Sequence, residues 1–204
     1  MSYKVFDKYA EKYDSWYSRN KVIAENEVLA LKKLGPKGLG LEVGVGTGFF
    51  SSKLGVSLGL DPALKMLKIA KNRGIDVIGG VGEHIPFRDG VFDYVLLVVT
   101  LCFVKDPRAV VDESARVVRK GGRLIACIVP RDSAWGRYYM GKDSVFYRIA
   151  KFYSLREALE LISYRFKVNR CVSTLSFGPR DEPFIEEPVE KCVPYGFVCI
   201  EALK

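Results

Sequence analysis

Between residues 38 and 61 the chain runs from a short apolar stretch through three alternate glycines and a helix-length segment into a second apolar stretch ending on a carboxylate. The first stretch, Gly38-Leu39-Gly40-Leu41-Glu42-Val43, reads as a strand, and Gly44-Val45-Gly46-Thr47-Gly48 as the turn that leaves it. A helix from Thr47 to Leu54 leads to a strand over Val56-Ser57-Leu58-Gly59-Leu60, and so to Asp61. Strands joined through a helical crossover lie parallel with a right-handed connection. This unit commits the chain to an α/β architecture.

The glycines also prescribe a use. Without Cβ atoms the backbone can approach a ligand closely, and the helix beyond offers unpaired N–H groups and partial positive charge. A nucleotide suits such a loop. The dinucleotide fingerprint, however, needs a third small residue, and counting from Gly44 and Gly46 finds Phe49 and Ser51. No Gly-Lys-Ser/Thr follows, so the phosphate-binding loop is absent too. A tight strand–helix turn with no ligand is the alternative. Asp61, nineteen residues beyond Glu42, weighs against it: a carboxylate at the end of the neighbouring strand can accept hydrogen bonds from both hydroxyls of a ribose. The same side chain can cap the helix that Asp61-Pro62 opens.

The alternation continues. The first 34 residues read as helix, with Phe6, Tyr9, Tyr13, Trp16 and Tyr17 on one face and a second stripe, Ile23, Val28, Leu31 and Leu34, that stops at Gly35-Pro36. Leu64, Leu67 and Ile69-Ala70 give the buried face of the helix after Asp61, and Asp76 to Gly79 is a third strand. Phe92 to Val99 is a fourth, apolar enough to be covered on both faces. Asp106-Pro107 starts a helix through Val118 that Gly121-Gly122 closes, and Arg123 to Val129 is a fifth strand. An aromatic and basic stretch, Trp135 to Tyr153, precedes a helix over Ser154 to Tyr164 and a strand over Lys167 to Phe177. A Pro- and Glu-rich loop, 178–194, then leads to a last strand, Tyr195 to Ala202.

Composition removes several classes. No run of eighteen apolar residues suggests a membrane span, and Met1 to Asp7 carries no apolar signal core. A soluble, cytoplasmic protein is expected. Cys102, Cys127, Cys171, Cys192 and Cys199 form no Cys-x-x-Cys pair and His84 is the only histidine, so no metal site is expected. The odd number of cysteines and the apolar neighbours of Cys127 and Cys199 suggest reduced thiols packed as small hydrophobes. The net charge of +8 leaves a nucleic-acid partner open, yet no basic block of five occurs. Glutamine is absent and asparagine occurs only at 20, 26, 72 and 169. With abundant Lys, Arg and Glu, that depletion suggests adaptation to heat, which accounts for the charge more simply.

Four segments, in order, resemble class I S-adenosylmethionine-dependent methyltransferases. Leu41-Glu42-Val43-Gly44-Val45-Gly46-Thr47-Gly48 resembles their E-x-G-x-G-x-G motif, and Asp61-Pro62-Ala63-Leu64-Lys65-Met66-Leu67 is similar to their D-x-S-x-x-M-L segment. Residues 80–93, Gly-Val-Gly-Glu-His-Ile-Pro-Phe-Arg-Asp-Gly-Val-Phe-Asp, resemble the G-D-A-E-x-L-P-F-x-D-x-x-F-D stretch of the type 11 branch, which includes ubiquinone/menaquinone methylases. The opening, Phe6-Asp7-x-x-Ala10-x-x-Tyr13-Asp14-x-Trp16-Tyr17, resembles that branch's lid helix. The resemblance implies a Rossmann-like, seven-stranded, mostly parallel sheet flanked by helices, with the last strand antiparallel and an N-terminal helical lid. It implies one methyltransferase domain over 1–204: a lid (1–34), a cofactor-binding half (35–130), and a substrate-side insert with C-terminal strands (131–204).

It also implies S-adenosylmethionine as cofactor, S-adenosylhomocysteine as product, and a role for each matching residue. Gly44, Gly46 and Gly48 would pass beneath the methionine and ribose, with Glu42 holding the loop and the nearby amine. Asp61 would take the ribose diol; Pro62 and Met66 would border adenine; Gly82 would offer its N–H to adenine; Thr100 and Leu101 would line the methionine end. The family's aspartate before the Ala-Glu pair is Val81 here, which removes a side-chain contact to the adenine amino group, and Glu83 and His84 are the candidates to replace it. Family position puts His84 beside adenine and away from the transferring methyl. Glu83 reads more readily as a capping or hydrogen-bonding residue than as a catalytic one.

Methyl transfer from a sulfonium is an in-line displacement, driven largely by alignment in a water-poor pocket. A base is needed only where the acceptor must shed a proton, and no residue stands out for that task. Strand four ends Val99-Thr100-Leu101-Cys102-Phe103, unlike the Asn/Asp-Pro-Pro-Tyr/Phe signature of exocyclic-nitrogen methylation, and no proline directly precedes a cysteine as cytosine C5 chemistry requires. A small-molecule acceptor is expected. Its walls would be Tyr13, Trp16 and Tyr17 of the lid, Trp135, Tyr138, Tyr139, Phe146 and Tyr147 of the insert, and the 178–194 loop. Such aromatics suit an apolar or planar molecule or a cationic amine; ordinary core packing is the alternative for each. RNA methylation, a non-catalytic cofactor-binding regulatory module and an oxidoreductase are the competing functions.

Overall fold

The structure, a computed structural model, describes residues 3–204. Seven strands make one sheet: β1 (Gly40–Val43), β2 (Leu58–Asp61), β3 (Asp76–Gly79), β4 (Phe92–Val98), β5 (Val118–Ile128), β6 (Lys167–Thr174) and β7 (Phe197–Leu203). Their order is β3-β2-β1-β4-β5-β7-β6. The first five pair in parallel, and β7 inserts antiparallel between β5 and β6. The topology therefore matches the expectation. Chain order reverses at β1, which has β2 on one side and β4 on the other. The loops leaving β1 and β4 diverge there, so a crevice forms at the carboxyl ends of the strands.

Alternation along β4 divides the core. Val95 and Leu97 face a cluster with Leu41, Val43, Leu124 and Ile200, beneath α6 (Pro107–Val117) and α8 (Leu155–Ser163). Tyr94, Leu96 and Val98 face the other way, into a cluster with Leu31, Phe50, Ile125 and Trp135. Cover on both faces explains why β4 reads as an unbroken apolar run. Asp106 starts α6 by accepting from Arg108 N at 3.0 Å and Ala109 N at 3.1 Å, with Pro107 in the first turn. Ser154 and Glu157 form a reciprocal capping box at the start of α8.

Some boundaries differ from the sequence reading. The N-terminal helix is three helices, α1 (Tyr3–Lys8), α2 (Ala10–Arg19) and α3 (Lys21–Leu34), broken at Tyr9 and Asn20. Val118 is already strand, and Gly121-Gly122 lie inside β5 rather than closing α6. A Cβ on Gly122 would stand 2.6 Å from the Asp93 carbonyl oxygen, so the glycine serves close strand–strand passage at the register shift between Phe92 and Tyr94. α4 spans Phe49–Leu54, and α5 (Leu64–Asn72) begins later than the Asp61-Pro62 signal suggests, with Ala63 as its N-cap residue.

The cysteine expectation is corrected. Cys127 is bonded to Cys199 and Cys171 to Cys192, leaving Cys102 as the free thiol. Buried apolar neighbours suit a thiol and a disulfide equally well. The deciding fact is the β5–β7 register, which sets Cys127 directly opposite Cys199, and local sequence does not carry it. Among the described residues no helix is long and apolar enough to cross a membrane.

Candidate active site

The loop leaving β1 is fastened on two sides. Gly44 N and Val45 N donate to the Leu60 carbonyl of β2 at 2.7 and 3.1 Å. Thr100 Oγ1 donates to the Val43 carbonyl at 3.0 Å and brings the end of β4 against the loop. Gly44, Gly46 and Gly48 have φ of 75°, 53° and 73°, the left-handed region that glycine enters at no steric cost. Their surroundings differ. A Cβ on Gly44 would stand 2.5 Å from Thr100 Cγ2, and one on Gly48 3.0 Å from Ala70 Cβ, whereas one on Gly46 would meet nothing within 4 Å. The loop is packed at both ends and open in the middle.

Asp61 faces that opening. Its Oδ2 accepts from Gly46 N at 2.9 Å and its Oδ1 from Ala63 N at 2.8 Å. Each carboxylate oxygen has capacity for a second donor. Burial raises the Asp61 pKa, and the Ala63 and Gly46 amides oppose that rise. Behind the loop, the buried Glu42 accepts from the Ser51 hydroxyl of α4. Burial pushes its carboxyl up to about 8, the Asp61 charge adding and the Ser51 bond opposing. Open glycine backbone beside a paired-oxygen acceptor fits an adenosine whose ribose carries two neighbouring hydroxyls. The donor and acceptor chemistry and the space agree.

The other expected residues surround this centre. Met66 is buried with Ala10, Ala63, Phe6 and Tyr13, against α1 and α2. Pro62 is partly exposed beside it. Gly82 is packed so closely that a Cβ would lie 2.8 Å from Val43 Cγ1. Glu83 turns away from the loop: its Oε1 accepts from Lys105 N at 2.9 Å and Asp106 N at 3.2 Å. His84 and Val81 are exposed, and Leu101 is buried in the core. Val99 sits at the rim with φ of 53°, a strained conformation for a β-branched residue of the kind that gathers at functional sites.

The N-terminal helices are fastened to both ends of α5. Asp7 Oδ1 accepts from Lys65 N at 2.8 Å, so a residue of α1 supplies the cap that Ala63 lacks. Asp14 of α2 pairs with both Nη atoms of Arg73 at 2.7 and 2.9 Å, and Arg73 Nη1 also donates to the Thr47 carbonyl at 2.7 Å. The Tyr17 ring stacks on Phe49 at 3.9 Å. From the insert, Tyr139 on α7 (Ala134–Met140) stacks on Tyr147 of a short 3-10 turn at 4.7 Å, and Phe146 meets Tyr13 at 5.4 Å. Trp135 Nε1 donates to the Phe177 carbonyl at 2.7 Å, which anchors that ring in the core. Tyr138 is half-buried with Lys142 Nζ 5.0 Å from its ring centre, and Trp16 lies edge-on to Tyr17 at 5.4 Å. Beside these rings Val99, Leu101, Cys102, Ile128, Val129, Phe152 and Tyr153 enclose a small hollow at the ends of β4 and β5.

Sequence reasoning missed Glu27. It is 7% exposed on α3, and burial alone pushes its carboxyl up to about 8. The signal was present, since Glu27 lies four residues from both Ile23 and Leu31 inside the buried stripe. A carboxyl whose folded pKa lies above its unfolded value holds its proton longer in the folded state. For Glu27 and Glu42 that contribution is complete below 4.5 and is lost as pH rises through about 8. Glu27→Gln is therefore expected to flatten the fall in melting temperature of the ligand-free protein between pH 5 and 8. A pH series of thermal melts checks this; equal slopes in the two proteins would remove Glu27 from that window.

A seven-stranded, mostly parallel sheet in the order β3-β2-β1-β4-β5-β7-β6, flanked by helices, is the fold of a class I methyltransferase. The methyltransferase domain family, type 11, matches residues 41–126. A SAM-dependent methyltransferase of Thermotoga maritima, described as a possible histamine N-methyltransferase, is 36% identical with a TM-score of 0.94 over 100% of both chains. An uncharacterized protein of Methanocaldococcus jannaschii is 41% identical over 203 residues, 98% of each chain. A demethylmenaquinone methyltransferase of a Mycobacterium species is 30% identical over 148 residues, 66% of this chain and 63% of its own. The chain belongs to the S-adenosylmethionine-dependent methyltransferases, in the type 11 branch related to the demethylmenaquinone enzymes.

Proposed function

We propose that this enzyme methylates a small-molecule acceptor in the cytoplasm, with the cofactor lying across Gly46 and Asp61. The observation that carries the reading is the open face at Gly46 beside the Asp61 carboxylate. When bound, S-adenosylmethionine supplies a methyl group on a sulfonium whose departure leaves a neutral thioether. Asp61 accepts from the ribose hydroxyls, and the backbone of Gly44, Gly46 and Gly48 lies under the ribose and methionine. Glu42 keeps α4 and the loop in register. Pro62 and Met66 border the adenine beside the Gly82 backbone, Glu83 fixes that segment to the start of α6, and Thr100 and Leu101 limit the methionine end. Tyr13, Trp16, Tyr17, Trp135, Tyr138 and Tyr139 form or brace the acceptor walls and exclude water. Support for a small acceptor comes from the aromatic contacts joining lid to insert and from the small amine in the Thermotoga relative's description. Disulfides are compatible with the interior of heat-adapted cells, which the scarcity of amides also suggests.

Thermal melting with S-adenosylhomocysteine tests the reading. Stabilisation of about 2.7 kcal/mol at a hundredfold excess over Kd corresponds to roughly 5–10 °C for a domain of this size. No shift at millimolar ligand would overturn it. Two glycine variants separate binding from folding. Gly46→Ala is expected to cost the fold only ~1–2 kcal/mol of left-handed strain while weakening S-adenosylhomocysteine roughly tenfold or more, about 1.4 kcal/mol. Gly44→Ala should destabilise the protein itself by a further ~1–3 kcal/mol through overpacking on Thr100. Denaturant titration and calorimetric titration read the two effects separately.

A further inference from the structure

Glu27 is a buried titratable group to which the methyltransferase reading gives no task. It follows Ile23 and precedes Leu31 by one turn of α3, and both pack into the cluster that holds Trp16, Tyr17, Tyr139 and Tyr147. Its side chain therefore points with theirs, into that cluster. No hydrogen bond or ion pair to it exists among the described residues, and no lysine, arginine or histidine is near enough to offset its burial. Buried carboxylates are ordinarily paired or hydrogen-bonded. One without a partner calls for a partner from outside.

What faces Glu27 is aromatic. Tyr17 of α2, Tyr139 of α7 and Tyr147 of the 3-10 turn pack into the cluster of Ile23 and Leu31, with Tyr13 against Tyr17; burial keeps all four phenols protonated, and an ionised Glu27 would add to that. The rings are arranged in contact, with Tyr13 and Tyr17 centroids 5.8 Å apart and their hydroxyls at 3.4 Å, and Tyr139 against Tyr147 at 4.7 Å. Tyr13 packs with Ala63 and Met66, just beyond Asp61, so the row of phenols extends to the cofactor crevice. Aromatic faces attract a cation, and a desolvated carboxylate binds an ammonium through charge-assisted hydrogen bonds. A neutral hydroxyl gains neither, and an anion is repelled.

We propose that the methyl acceptor is a small primary or secondary amine that enters as an ammonium, held on the faces of Tyr13, Tyr17, Tyr139 and Tyr147 with Glu27 as its counter-ion. This rests on the methyltransferase reading and names its substrate class. The ammonium gives one proton to Glu27. The freed nitrogen lone pair forms the N–C bond as the C–S bond breaks, and that bond's electron pair stays on sulfur. The positive charge passes to the methylated nitrogen, and Glu27 returns its proton to solvent, so each turnover releases one proton.

The test uses 2-phenylethylamine, its N-methyl derivative, cyclohexylamine and 2-(imidazol-4-yl)ethylamine, with 2-phenylethanol and 3-phenylpropanoate as neutral and anionic counterparts. Binding is measured by calorimetry on protein saturated with S-adenosylhomocysteine, and turnover by S-adenosylhomocysteine release from S-adenosylmethionine. At least one amine should bind and be methylated, with roughly tenfold or greater preference over the alcohol and none for the carboxylate. Glu27→Gln, the neutral isostere of the protonated side chain, should lose that preference while keeping the full thermal shift with S-adenosylhomocysteine; Tyr147→Leu should weaken the amine alone. Failure of every amine to bind, an alcohol bound equally well, or unchanged amine affinity in Glu27→Gln would overturn the proposal while the cofactor shift stands. Absence of that shift in the unsubstituted protein would overturn the methyltransferase reading with it.

Discussion

Asp61→Ala is expected to abolish the thermal shift given by S-adenosylhomocysteine and to weaken its binding roughly 10- to 150-fold, about 1.5–3 kcal/mol for the loss of charge-assisted hydrogen bonds. Two effects combine. The ribose loses its acceptor, and the Gly46 amide loses the carboxylate oxygen that holds it at 2.9 Å. Asp61→Asn retains one acceptor oxygen and should fall between the two. Calorimetric titration gives the affinities, and circular dichroism shows whether the sheet survives. An alanine variant that keeps the whole shift would remove Asp61 from the ribose.

The second large effect concerns stability. Cys127–Cys199 closes 72 residues of sequence and Cys171–Cys192 closes 21. By loop-closure entropy these bonds stabilise the fold by about 4 and about 3 kcal/mol respectively. Cys127 and Cys199 are almost fully buried, so a reductant needs denaturant to reach that bond, whereas Cys192 is exposed and opens the Cys171–Cys192 bond to a reductant in the folded protein. Unfolding in the presence of dithiothreitol should occur at a much lower denaturant concentration than without it. Alkylation of unreduced, denatured protein should label one cysteine, Cys102, and all five only after reduction. Labelling of all five without reductant would show that the bridges do not form.

These cases show which parts of the molecule the sequence announces. The sheet was legible because its signals are local: Gly44 to Gly48, Asp61-Pro62 and Asp106-Pro107 each fix a turn through the conformation of a few residues. Among the candidate cofactor residues, Glu42, the three glycines and Asp61 stood out locally, on β1, β2 and their loops, whereas Gly82, Glu83, Thr100 and Leu101, beyond β3 and β4, were named only by the family resemblance. The disulfides were not legible, because strand register pairs residues far apart in sequence. Nor were the latches Asp7–Lys65 and Asp14–Arg73, whose partners stand 58 and 59 positions apart. Ala63, which reads as a minor departure from a serine, acquires meaning only once Asp7 is seen to occupy the cap. Glu27 belongs to neither group. Its place in an apolar stripe was visible at helical spacing, but a single acidic residue there looks like an interruption of the pattern until the tyrosines of other elements are brought around it.

Arg73 couples the N-terminal helices to the glycine turn. One guanidinium grips Asp14 on α2 and the Thr47 carbonyl on the glycine turn, so an outward swing of α2 must break an ion pair that also steadies the cradle. Salt, which screens the part-exposed Arg73–Asp14 pair, is therefore expected to loosen α2 and the glycine turn together.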